Sequence, residues 1–438
     1  MLKRKITDQL RAWRESRGQE CLLVKGARQV GKTYAISDFG RSDYESLVEV
    51  NFVERPELAG AFDGPLDPEE VRRRISLLLP GASFPRGRTL LFLDEIQECP
   101  NARTALKFLA QDPGMDVIAS GSLLGISYRQ SEVPSIPVGY ERQVEMHGLD
   151  FEEYLWAVGY PEGAVDALRG YLAEESAVPQ PVHERMLRTL REHMAVGGMP
   201  AVVSCFVSED SFSAAHDEQL KIIASHLDDI AKYAPPNVRA KSRACYQSMP
   251  RQLAKENTKF QYGVVEKRGT ARKFDTAVDW LEEANLVRRC RHVSTPSFPL
   301  AAYESDDRFR LYLNDTGLLT AMYGFEMKAA VVGDSLSGPM KGGLYENLVA
   351  DMLVKAGRPL RYWRNDRGDR EMEFLLDGPA SVEAVEVKAK RGASASLDAM
   401  LEADETMAGV KLGSVNVGRS GRKLTLPLYL APFLFESA

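Results

Sequence analysis

One run of eight residues has the composition and spacing of a loop that binds phosphate groups. It reads GARQVGKT and fills the pattern G-x-x-x-x-G-K-S/T without a mismatch. Its two glycines let the backbone curl so that successive N–H groups point at negative charge. Lys32 would reach the β- and γ-phosphates of a nucleotide, and the Thr33 hydroxyl would ligate Mg²⁺. The loop consists of Gly26, Ala27, Arg28, Gln29, Val30, Gly31, Lys32 and Thr33.

Two adjacent carboxylates follow an apolar segment further along the chain. The segment Thr89–Leu93 leads into Asp94 and Glu95, which is the form of a Walker B motif. Asp94 would hold Mg²⁺ directly or through water, and Glu95 would act as the general base on the attacking water. The alternative is that both residues only cap the helix that follows. Together with the loop, the pair indicates hydrolysis of a nucleotide.

Short apolar segments around the two motifs predict the strands and helices that hold the motif residues. The run Cys21–Val24 predicts a buried strand entering the loop and a helix begins at Thr33, a context that a chance match in a glycine-containing turn would lack. Leu47–Phe52 predicts another strand, and Pro68 opens a helix. An additional strand therefore separates the two motifs. This order resembles the P-loop ATPases that use an extra strand and a catalytic glutamate, the group that contains the AAA superfamily.

Polar residues end the strand that follows the second motif. Met115–Ala119 predicts this strand, and Ser120-Gly121-Ser122 follow it. ATPases of the resembled group keep a sensor of the γ-phosphate at this position, which makes Ser120 or Ser122 the candidate. The alternative is an ordinary Ser-Gly-Ser turn.

Length, charge and cysteine content restrict the class of protein. A chain of 438 residues predicts two to four domains, and a formal net charge of −6 leaves any nucleic-acid contact to a local basic patch. The five cysteines are far apart, which favours reduced thiols in a cytoplasm over a zinc site or disulfides. No stretch approaches the roughly 18 apolar residues of a membrane span, so we expect a cytoplasmic protein that neither enters a membrane nor is secreted.

Five motifs together resemble one group of proteins. These are GARQVGKT, LLFLDEIQ at Leu90–Gln97, ASGSLLGI at Ala119–Ile126, LDFEEYLWA at Leu149–Ala157 and GGMP at Gly197–Pro200. The chain resembles the prokaryotic ATP-binding proteins with an N-terminal AAA-14-type ATPase module and a C-terminal domain of unknown function 4143. The resemblance covers nearly the whole chain. It implies an ATPase coupled to a DNA-linked or defence-related process.

An ATPase of this type needs an arginine that stabilises charge in the transition state, supplied by a neighbouring subunit or a loop of the same chain. Arg142 lies in the segment where the family pattern places a Gly-Arg pair, although Tyr140 and Glu141 intervene here. The alternative is a surface arginine paired with Glu141 or Glu145.

The middle of the chain reads as helices, followed by a basic segment. Residues 150–235 predict a helical lid or connector, and beyond them a helix-turn-helix outline ends in the strand Leu286–Cys290, as in a winged helix. DNA contact through the basic residues and a solvated protein-contact face are both open. The basic residues are Arg251, Lys255, Lys259, Lys267, Arg268, Arg272 and Lys273.

The last hundred residues hold a second group of carboxylates. Glu346 lies on a predicted helix, Glu371 and Glu373 on one face of a predicted strand 370–376, and Glu386 beside Lys388 on another strand. This resembles the PD-(D/E)xK nuclease fold, in which carboxylates hold Mg²⁺ and a lysine orients water. In this resemblance Glu346, Glu373 and Glu386 are metal ligands. Glu373 stands where the pattern has Asp, so an active and an inactive version both remain open.

These observations predict an α/β protein of three domains. A P-loop AAA-type ATPase domain with a parallel sheet would span residues 1–148, a helical and winged-helix connector 149–325, and a nuclease-like domain 326–438. The predicted activity is ATP- and Mg²⁺-dependent ATP hydrolysis by a homo-oligomer, with DNA or a protein as the further partner. The alternatives are an ATP-gated endonuclease and a slow nucleotide switch with an inactive docking domain.

Overall fold

The computed structural model describes residues 2–16, 18, 20–122, 139–255, 259–389, 392 and 394–437. The chain divides into two compact units. The N-terminal unit comprises Lys3–Gly148 with Glu283–Asn285, and the C-terminal unit comprises Leu149–Glu282 and Leu286–Ala438 with the first two residues. The end of the ASGSLLGI motif, residues 123–126, lies outside the described residues.

A parallel five-stranded sheet forms the centre of the N-terminal unit, with the order β2-β3-β4-β1-β5. Its strands are β1 (Cys21–Gly26), β2 (Ser46–Asn51), β3 (Thr89–Asp94), β4 (Asp116–Ser122) and β5 (Glu141–Glu145). The helices of this unit are α1 (Ile6–Ser16), α2 (Lys32–Asp43), α3 (Pro68–Leu78) and α4 (Pro100–Leu109), with 3₁₀ turns at Pro56–Phe62 and Ile96–Glu98.

Alternation along the strands produces a core on each face of this sheet. Leu22 and Phe92 belong to one buried cluster, which α1 and α2 cover, whereas Leu23 and Leu93 belong to the other, which α3 and α4 cover. Neighbouring residues of a strand point to opposite faces, so a strand that is apolar throughout must be covered on both sides. The arrangement confirms the predicted α/β P-loop fold.

Helix α3 illustrates how local sequence sets the boundaries. Asp67 caps it, because its carboxylate accepts hydrogen bonds from the Glu69 and Glu70 backbone N–H groups at 3.0 and 3.3 Å. Pro68 occupies the first helical position, where no intrahelical donor is needed. The Asp67 cap and Pro68 together predict from the sequence where the helix begins.

Helices make up most of the first half of the C-terminal unit. Asp150 and Glu153 form a capping box at the first of them, with backbone-to-carboxylate distances of 2.8 and 3.1 Å. The helices of this unit are α5 (Phe151–Ala157), α6 (Glu162–Ala173), α7 (Gln180–Val196), α8 (Pro200–Glu209), α9 (Phe212–Tyr233), α10 (Pro236–Leu253), α11 (Tyr262–Val265), α12 (Ala271–Glu283), α13 (Thr316–Met322), α14 (Glu326–Val332), α15 (Pro339–Lys355), α16 (Ala395–Ala403) and α17 (Ala431–Ser437), with 3₁₀ turns at Leu300–Tyr303 and Leu428–Leu430.

Two sheets complete the C-terminal unit. The first has the order β7-β6-β8-β9 and the second β10-β11-β12-β14-β13. Their strands are β6 (Val287–Val293), β7 (Glu304–Leu313), β8 (Arg361–Arg364), β9 (Glu371–Met372), β10 (Phe374–Asp377), β11 (Val382–Val387), β12 (Ala408–Gly413), β13 (Gly418–Ser420) and β14 (Lys423–Pro427). Strand β6 pairs with both β7 and β8, so the first sheet joins segments on either side of the domain boundary expected at 325/326.

The strand predicted over residues 370–376 is two strands in the structure. Glu371 pairs with Arg364 in the first sheet, whereas Phe374 pairs with Val385 in the second. The break falls at Glu373, whose carboxylate accepts a hydrogen bond from the Val387 backbone N–H at 3.3 Å. The prediction of one continuous strand is therefore wrong.

Among the described residues, no helix is long and apolar enough to cross a membrane.

Candidate active site and a second carboxylate cluster

The loop after β1 has the backbone conformation that its glycines suggest. Gly31 has a φ of 89° and Gln29 a φ of 65°, both in the left-handed region. Gly26 is required for a different reason, because a Cβ there would lie 2.2 Å from the Met146 carbonyl oxygen. The loop then enters α2 directly, so its backbone N–H groups and the helix N-terminus lie together.

Lys32 folds back over its own loop. Its ammonium donates hydrogen bonds to the carbonyl oxygens of Gly26 at 3.1 Å and Ala27 at 2.9 Å, and only 7% of the residue is exposed. Burial lowers the pKa of Lys32 to about 8, although the nearby Glu95 and Asp94 carboxylates oppose this shift. The cation therefore lies within the loop that the sequence assigns to phosphate.

Asp94 joins the two motifs. Its Oδ2 atom accepts hydrogen bonds from the Thr33 hydroxyl at 2.9 Å and from the Asn51 amide at 3.1 Å. Its Oδ1 atom accepts a short hydrogen bond from Ser120. Asp94 is 3% exposed at the end of β3, so three side chains fix the orientation of a buried carboxylate.

Asn51 was missed by sequence reasoning, although a signal was present. It ends β2, and it lies directly opposite Asp94 in the parallel pairing of β2 with β3. A polar residue at the end of a strand beside the Walker B strand is the same signal that singled out Ser120. The strand predicted over 47–52 contains Asn51, but the order of the strands, with β2 beside β3, is also needed to place it opposite Asp94.

Glu95 lies at a sharp turn immediately after β3. Its φ of 53° is in the left-handed region, and its carboxylate accepts a short hydrogen bond from the Gln97 amide. The turn directs the chain into the 3₁₀ turn at Ile96–Glu98. The side chain of Glu95 is therefore held separately from that of Asp94, and the two adjacent carboxylates have different partners.

The two serine candidates occupy different places on β4. Ser120 contacts Asp94, whereas Ser122 lies opposite Gly26 in the pairing of β4 with β1. Both are buried, with 0% and 6% of the residue exposed. Both thus lie at the phosphate-loop end of the sheet, and the contact with Asp94 singles out Ser120.

Arg142 lies at the other end of the same sheet. It pairs with Leu22 at the start of β1, about 13 Å along the strand from Gly26 at ~3.3 Å per residue. Its guanidinium is 3.2 Å from the Glu20 carboxylate, which replaces the partners Glu141 and Glu145 considered above. Arg142 therefore does not reach the phosphate loop of its own chain.

The C-terminal carboxylates lie near one another on different elements. Glu386 and Lys388 at the end of β11 form an ion pair of 3.0 Å, and Glu386 is 1% exposed. Glu373 lies at the break between β9 and β10, and Glu346 lies on α15. Burial, followed by the charge of Glu346, raises the pKa of Glu373 to about 8, so the structure brings these predicted residues into mutual electrostatic contact.

A buried arginine reduces the net negative charge of this carboxylate cluster. Arg310 on β7 is 1% exposed, and its guanidinium lies 3.3 Å from Glu346 and 3.0 Å from Glu371. The Tyr312 hydroxyl also donates to Glu346 at 3.0 Å. No group of three or more His, Cys, Asp or Glu residues in the described part of the chain is arranged to hold a metal ion. The structure thus places a buried cation against Glu346, and the role of Glu346, Glu373 and Glu386 as metal ligands stays a prediction.

The basic segment is partly neutralised. Lys273 on α12 forms an ion pair of 2.7 Å with Glu266, while Lys267, Arg268 and Arg272 are exposed. The helices α10 to α12 precede the antiparallel pair β6 and β7, which has a bulge between Arg291 and His292. Helices followed by a strand agree with the predicted order of elements, and the winged helix itself stays a prediction.

Three family models match the chain. An AAA domain model matches residues 18–155, a domain of unknown function (DUF8612) matches 187–329, and a second domain of unknown function (DUF4143) matches 341–429. The AAA and DUF4143 matches confirm the resemblance drawn from the motifs, and the DUF8612 match adds a family that the motifs did not indicate. None of the curated proteins matches the sequence.

Solved structures are similar to the chain at low identity. A Walker-type ATPase of Pyrococcus abyssi is 14% identical, with a TM-score of 0.43, over 74% of this chain and 96% of the other. The ORC2 protein of Aeropyrum pernix, in ADPNP–ADP complexes, is 12% identical, with a TM-score of 0.38, over 76% and 94%. Drosophila ORC bound to AT-rich DNA and Cdc6 is 11% identical, with a TM-score of 0.22, over 74% and 93%.

The AAA domain match covers the loop with Lys32 and Thr33, the Asp94 carboxylate that contacts it, and the parallel sheet around them, and it supports ATP binding by this domain. The chain therefore combines a match to an AAA domain at residues 18–155 with a match to a domain of unknown function (DUF4143) at residues 341–429.

Proposed function

We propose that the chain hydrolyses ATP at the phosphate loop with the help of Mg²⁺. The observation that carries the proposal is the 2.9 Å contact between the Thr33 hydroxyl and the Asp94 carboxylate. It brings one oxygen ligand from each motif together, and oxygen ligands are those that Mg²⁺ prefers. When bound, Mg²⁺ neutralises charge on the β- and γ-phosphates of the nucleotide.

The residues of the chain supply positioning and proton transfer. An incoming phosphate replaces the loop carbonyls as the partner of the Lys32 ammonium, which keeps the charged group in place while exchanging its contacts. Glu95 accepts a proton from the attacking water, and its contact with Gln97 orients the carboxylate. Asn51 and Ser120 hold Asp94, so the carboxylate needs little reorganisation during the reaction.

The ATPase is proposed to act as a homo-oligomer in a DNA-linked or defence-related process. Arg142 lies at the far end of its own sheet, so it would act at the phosphates of a neighbouring subunit and not at those of its own chain. The exposed Lys267, Arg268 and Arg272 support a polyanion as the further partner. This segment is proposed to form a winged helix.

For the C-terminal domain, Arg310 favours an inactive, nuclease-like docking role. The arginine already engages Glu346, a predicted metal ligand, so the local charge that would attract Mg²⁺ is reduced. In the alternative, an ATP-gated endonuclease, Glu346, Glu373 and Glu386 hold Mg²⁺ and Lys388 orients the water. The ion pair between Glu386 and Lys388 is compatible with both functions.

One experiment tests the proposed activities together. ATP turnover by the full-length chain is measured with and without double-stranded DNA, and the DNA is then inspected for nicks. We expect Mg²⁺-dependent turnover that DNA changes, and intact DNA. Absence of turnover in both conditions would overturn the ATPase proposal, and nicked DNA would establish the endonuclease in place of the docking role.

A further inference from the structure

The C-terminal unit contains a cavity that neither the ATPase site nor the carboxylate cluster uses. Its volume is about 200 Å³, and it lies beside the sheet β7-β6-β8-β9. Arg308 on β7 and Arg364 on β8 line it, together with Lys259 from the segment before β6. A backbone bridge from Lys259 to Arg310 fixes this segment against β7. Three elements thus bring three cationic side chains to one cavity.

The charges around this cavity are unbalanced. Asp366 is the one carboxylate among the lining residues, against three cations. The Arg308 side chain is exposed and forms no ion pair or hydrogen bond with any residue in the described part of the chain. Arg364 donates to the Gly368 carbonyl oxygen at 2.9 Å and its Nε atom lies 3.6 Å from the Glu371 carboxylate, so it is held in place and partly neutralised, while its Nη1 atom retains donors. The guanidinium groups of Arg308 and Arg364 could therefore both donate hydrogen bonds to an oxyanion in the cavity.

The floor of the cavity contains a buried histidine. His292 is 5% exposed and packs edge-to-face on Tyr362, with ring centroids 5.2 Å apart. Its Nε2 atom is 3.1 Å from the Arg364 carbonyl oxygen, which requires a proton on Nε2. The Nδ1 atom is buried and has no hydrogen-bond partner among the described residues. On the neutral ring this Nδ1 atom is an acceptor, and it donates to a phosphate oxygen only when the ring is protonated, so the cationic side chains carry the argument for an anion.

The charged groups around the cavity also shift the pKa of His292. Burial lowers its pKa, and the positive charges of Arg308 and Arg310 add to the shift, whereas Asp366 opposes it. An anion in the cavity would offset these cations. The turn after β8 also exposes Arg367 and Arg370, while its Asp369 is engaged by the Asn365 amide at 2.6 Å. Cationic side chains are therefore present on the turn after β8 as well as in the cavity. A polymer with many phosphates fits this arrangement better than a single anion does.

We propose that this cavity binds a phosphate of a nucleic-acid backbone, with Arg308, Arg364 and Lys259 as its cationic contacts. The neighbouring phosphates of the same strand lie along the turn that carries Arg367 and Arg370. This site is separate from the basic segment at residues 267–273. It does not depend on ATP hydrolysis, so it can be tested while turnover is monitored independently.

The test uses the full-length chain and fluorescent DNA and RNA oligonucleotides of one sequence, with affinity measured over a range of salt concentrations. Arg308→Gln is the main variant, because this side chain is exposed and unpaired. Removing one phosphate contact should weaken binding by about tenfold and lower the slope of log affinity against log salt by about 0.7 to 0.9. Arg308→Lys should keep the slope, since it keeps the charge. ATP turnover without nucleic acid should equal that of the parent.

Arg243→Gln is the matched control, because Arg243 is an exposed arginine on α10 in the same unit and has no ion pair among the described residues. It should leave affinity and slope unchanged. Equal losses in the two variants would overturn the proposal in favour of diffuse attraction, as would an Arg308→Gln affinity equal to the parent's. Inorganic phosphate is tested in parallel: binding of phosphate without binding of either oligonucleotide would also overturn it. A variant with Lys267, Arg268, Arg272 and Lys273 all changed to Gln should still show the Arg308 effect.

Discussion

The Thr33 hydroxyl donates a 2.9 Å hydrogen bond to the Asp94 carboxylate, and this contact connects the phosphate loop to β3, the strand that leads into the proposed general base Glu95. Thr33 is at the start of α2 and Asp94 at the end of β3. The contact forms because β1 and β3 run parallel and end at the same edge of the sheet. The residues proposed for binding and for hydrolysis therefore meet at one junction, in which Asp94 is buried and Thr33 is exposed.

The first prediction separates these two steps. Lys32→Ala should lose nucleotide binding, because Lys32 contacts phosphate in the ground state as well as in the transition state. Glu95→Gln should bind ATP normally and turn it over about 10² to 10⁴ times more slowly. Binding of a fluorescent ATP analogue and release of phosphate measure the two effects. Glu98→Gln, in the same turn, is the control, and turnover by Glu95→Gln near the parental rate would show that Glu95 is not the base.

The second prediction distinguishes the two serines of β4. Ser120→Ala removes a hydrogen bond to the buried Asp94 and should lower the turnover rate by roughly tenfold while changing ATP affinity less. Ser122→Ala should have a smaller effect, because Ser120, and not Ser122, is the serine that donates a hydrogen bond to Asp94. Steady-state kinetics of both variants decides. A larger loss in Ser122→Ala would assign the sensor to Ser122.

The third prediction concerns the buried Arg310. Arg310→Met should lower the free energy of unfolding of the chain by about 3 to 5 kcal/mol, because Glu346 and Glu371 lose their buried partner. Adding Glu346→Gln should recover part of this loss, since one carboxylate then needs no counter-charge. Urea titration measures both. Arg308→Met, on the same strand and exposed, should cost no more than about 0.5 kcal/mol, and an equal cost for the two arginines would contradict the ion-pair argument.

The fourth prediction is a loss of stability in acid that depends on His226. This ring is 1% exposed, its Nδ1 atom lies 2.9 Å from the Tyr246 hydroxyl, and burial lowers its pKa from 6.5 to about 4. Between these values the unfolded chain binds a proton that the folded chain does not, so stability falls as the pH decreases from 6.5 to 4. The loss at pH 5 is about 2 kcal/mol.

Two variants isolate this effect. His226→Asn should make the decline in unfolding free energy between pH 6.5 and pH 5 less steep, while the part due to His193 remains. Tyr246→Phe removes the hydrogen bond but keeps the imidazole, so it should lower stability at all pH values and retain the decline. An unchanged pH slope in His226→Asn would assign the acid sensitivity to other groups, of which His193, with a pKa lowered by burial to about 3, is the first to examine.

The fifth prediction concerns cleavage by the C-terminal domain. We expect supercoiled DNA to remain intact with the parent chain, ATP and Mg²⁺, because Arg310 already engages one of the three carboxylates. Agarose electrophoresis reports the nicks. If nicks are found, and if Glu386→Ala and Lys388→Ala abolish them with ATP turnover intact, then the domain cuts and the docking role is wrong.

The sequence predicts what depends on neighbouring residues. The phosphate loop, the Asp94-Glu95 pair and the strands of the first sheet follow from local spacing and apolar runs. The partner of Asp94 at Asn51 required knowledge of strand order, which single runs of residues do not contain. The place of Arg142 at the far end of β1 likewise follows from the register of β5, which no local pattern fixes.

In the C-terminal unit, long-range pairing limited the prediction more strongly. Alternation suggested one strand through Glu371 and Glu373, but the chain changes sheets at Glu373 because β10 pairs with β11 and β9 with β8. Arg310 was missed, although it and Tyr312 occupy one face of a strand whose other face is Phe309, Leu311 and Leu313. Two polar residues on one face of such a strand are a signal for a buried polar network.

The pairing of β6 with β8 determines where the chain can be divided for expression. A fragment that ended between α14 and α15 would lack β8 and β9, and β6 would then lie at an open edge. The backbone N–H and C=O groups of Arg291, His292 and Val293 that now face β8 would be unpaired. Such edges recruit strands from other molecules, so this fragment should self-associate or precipitate.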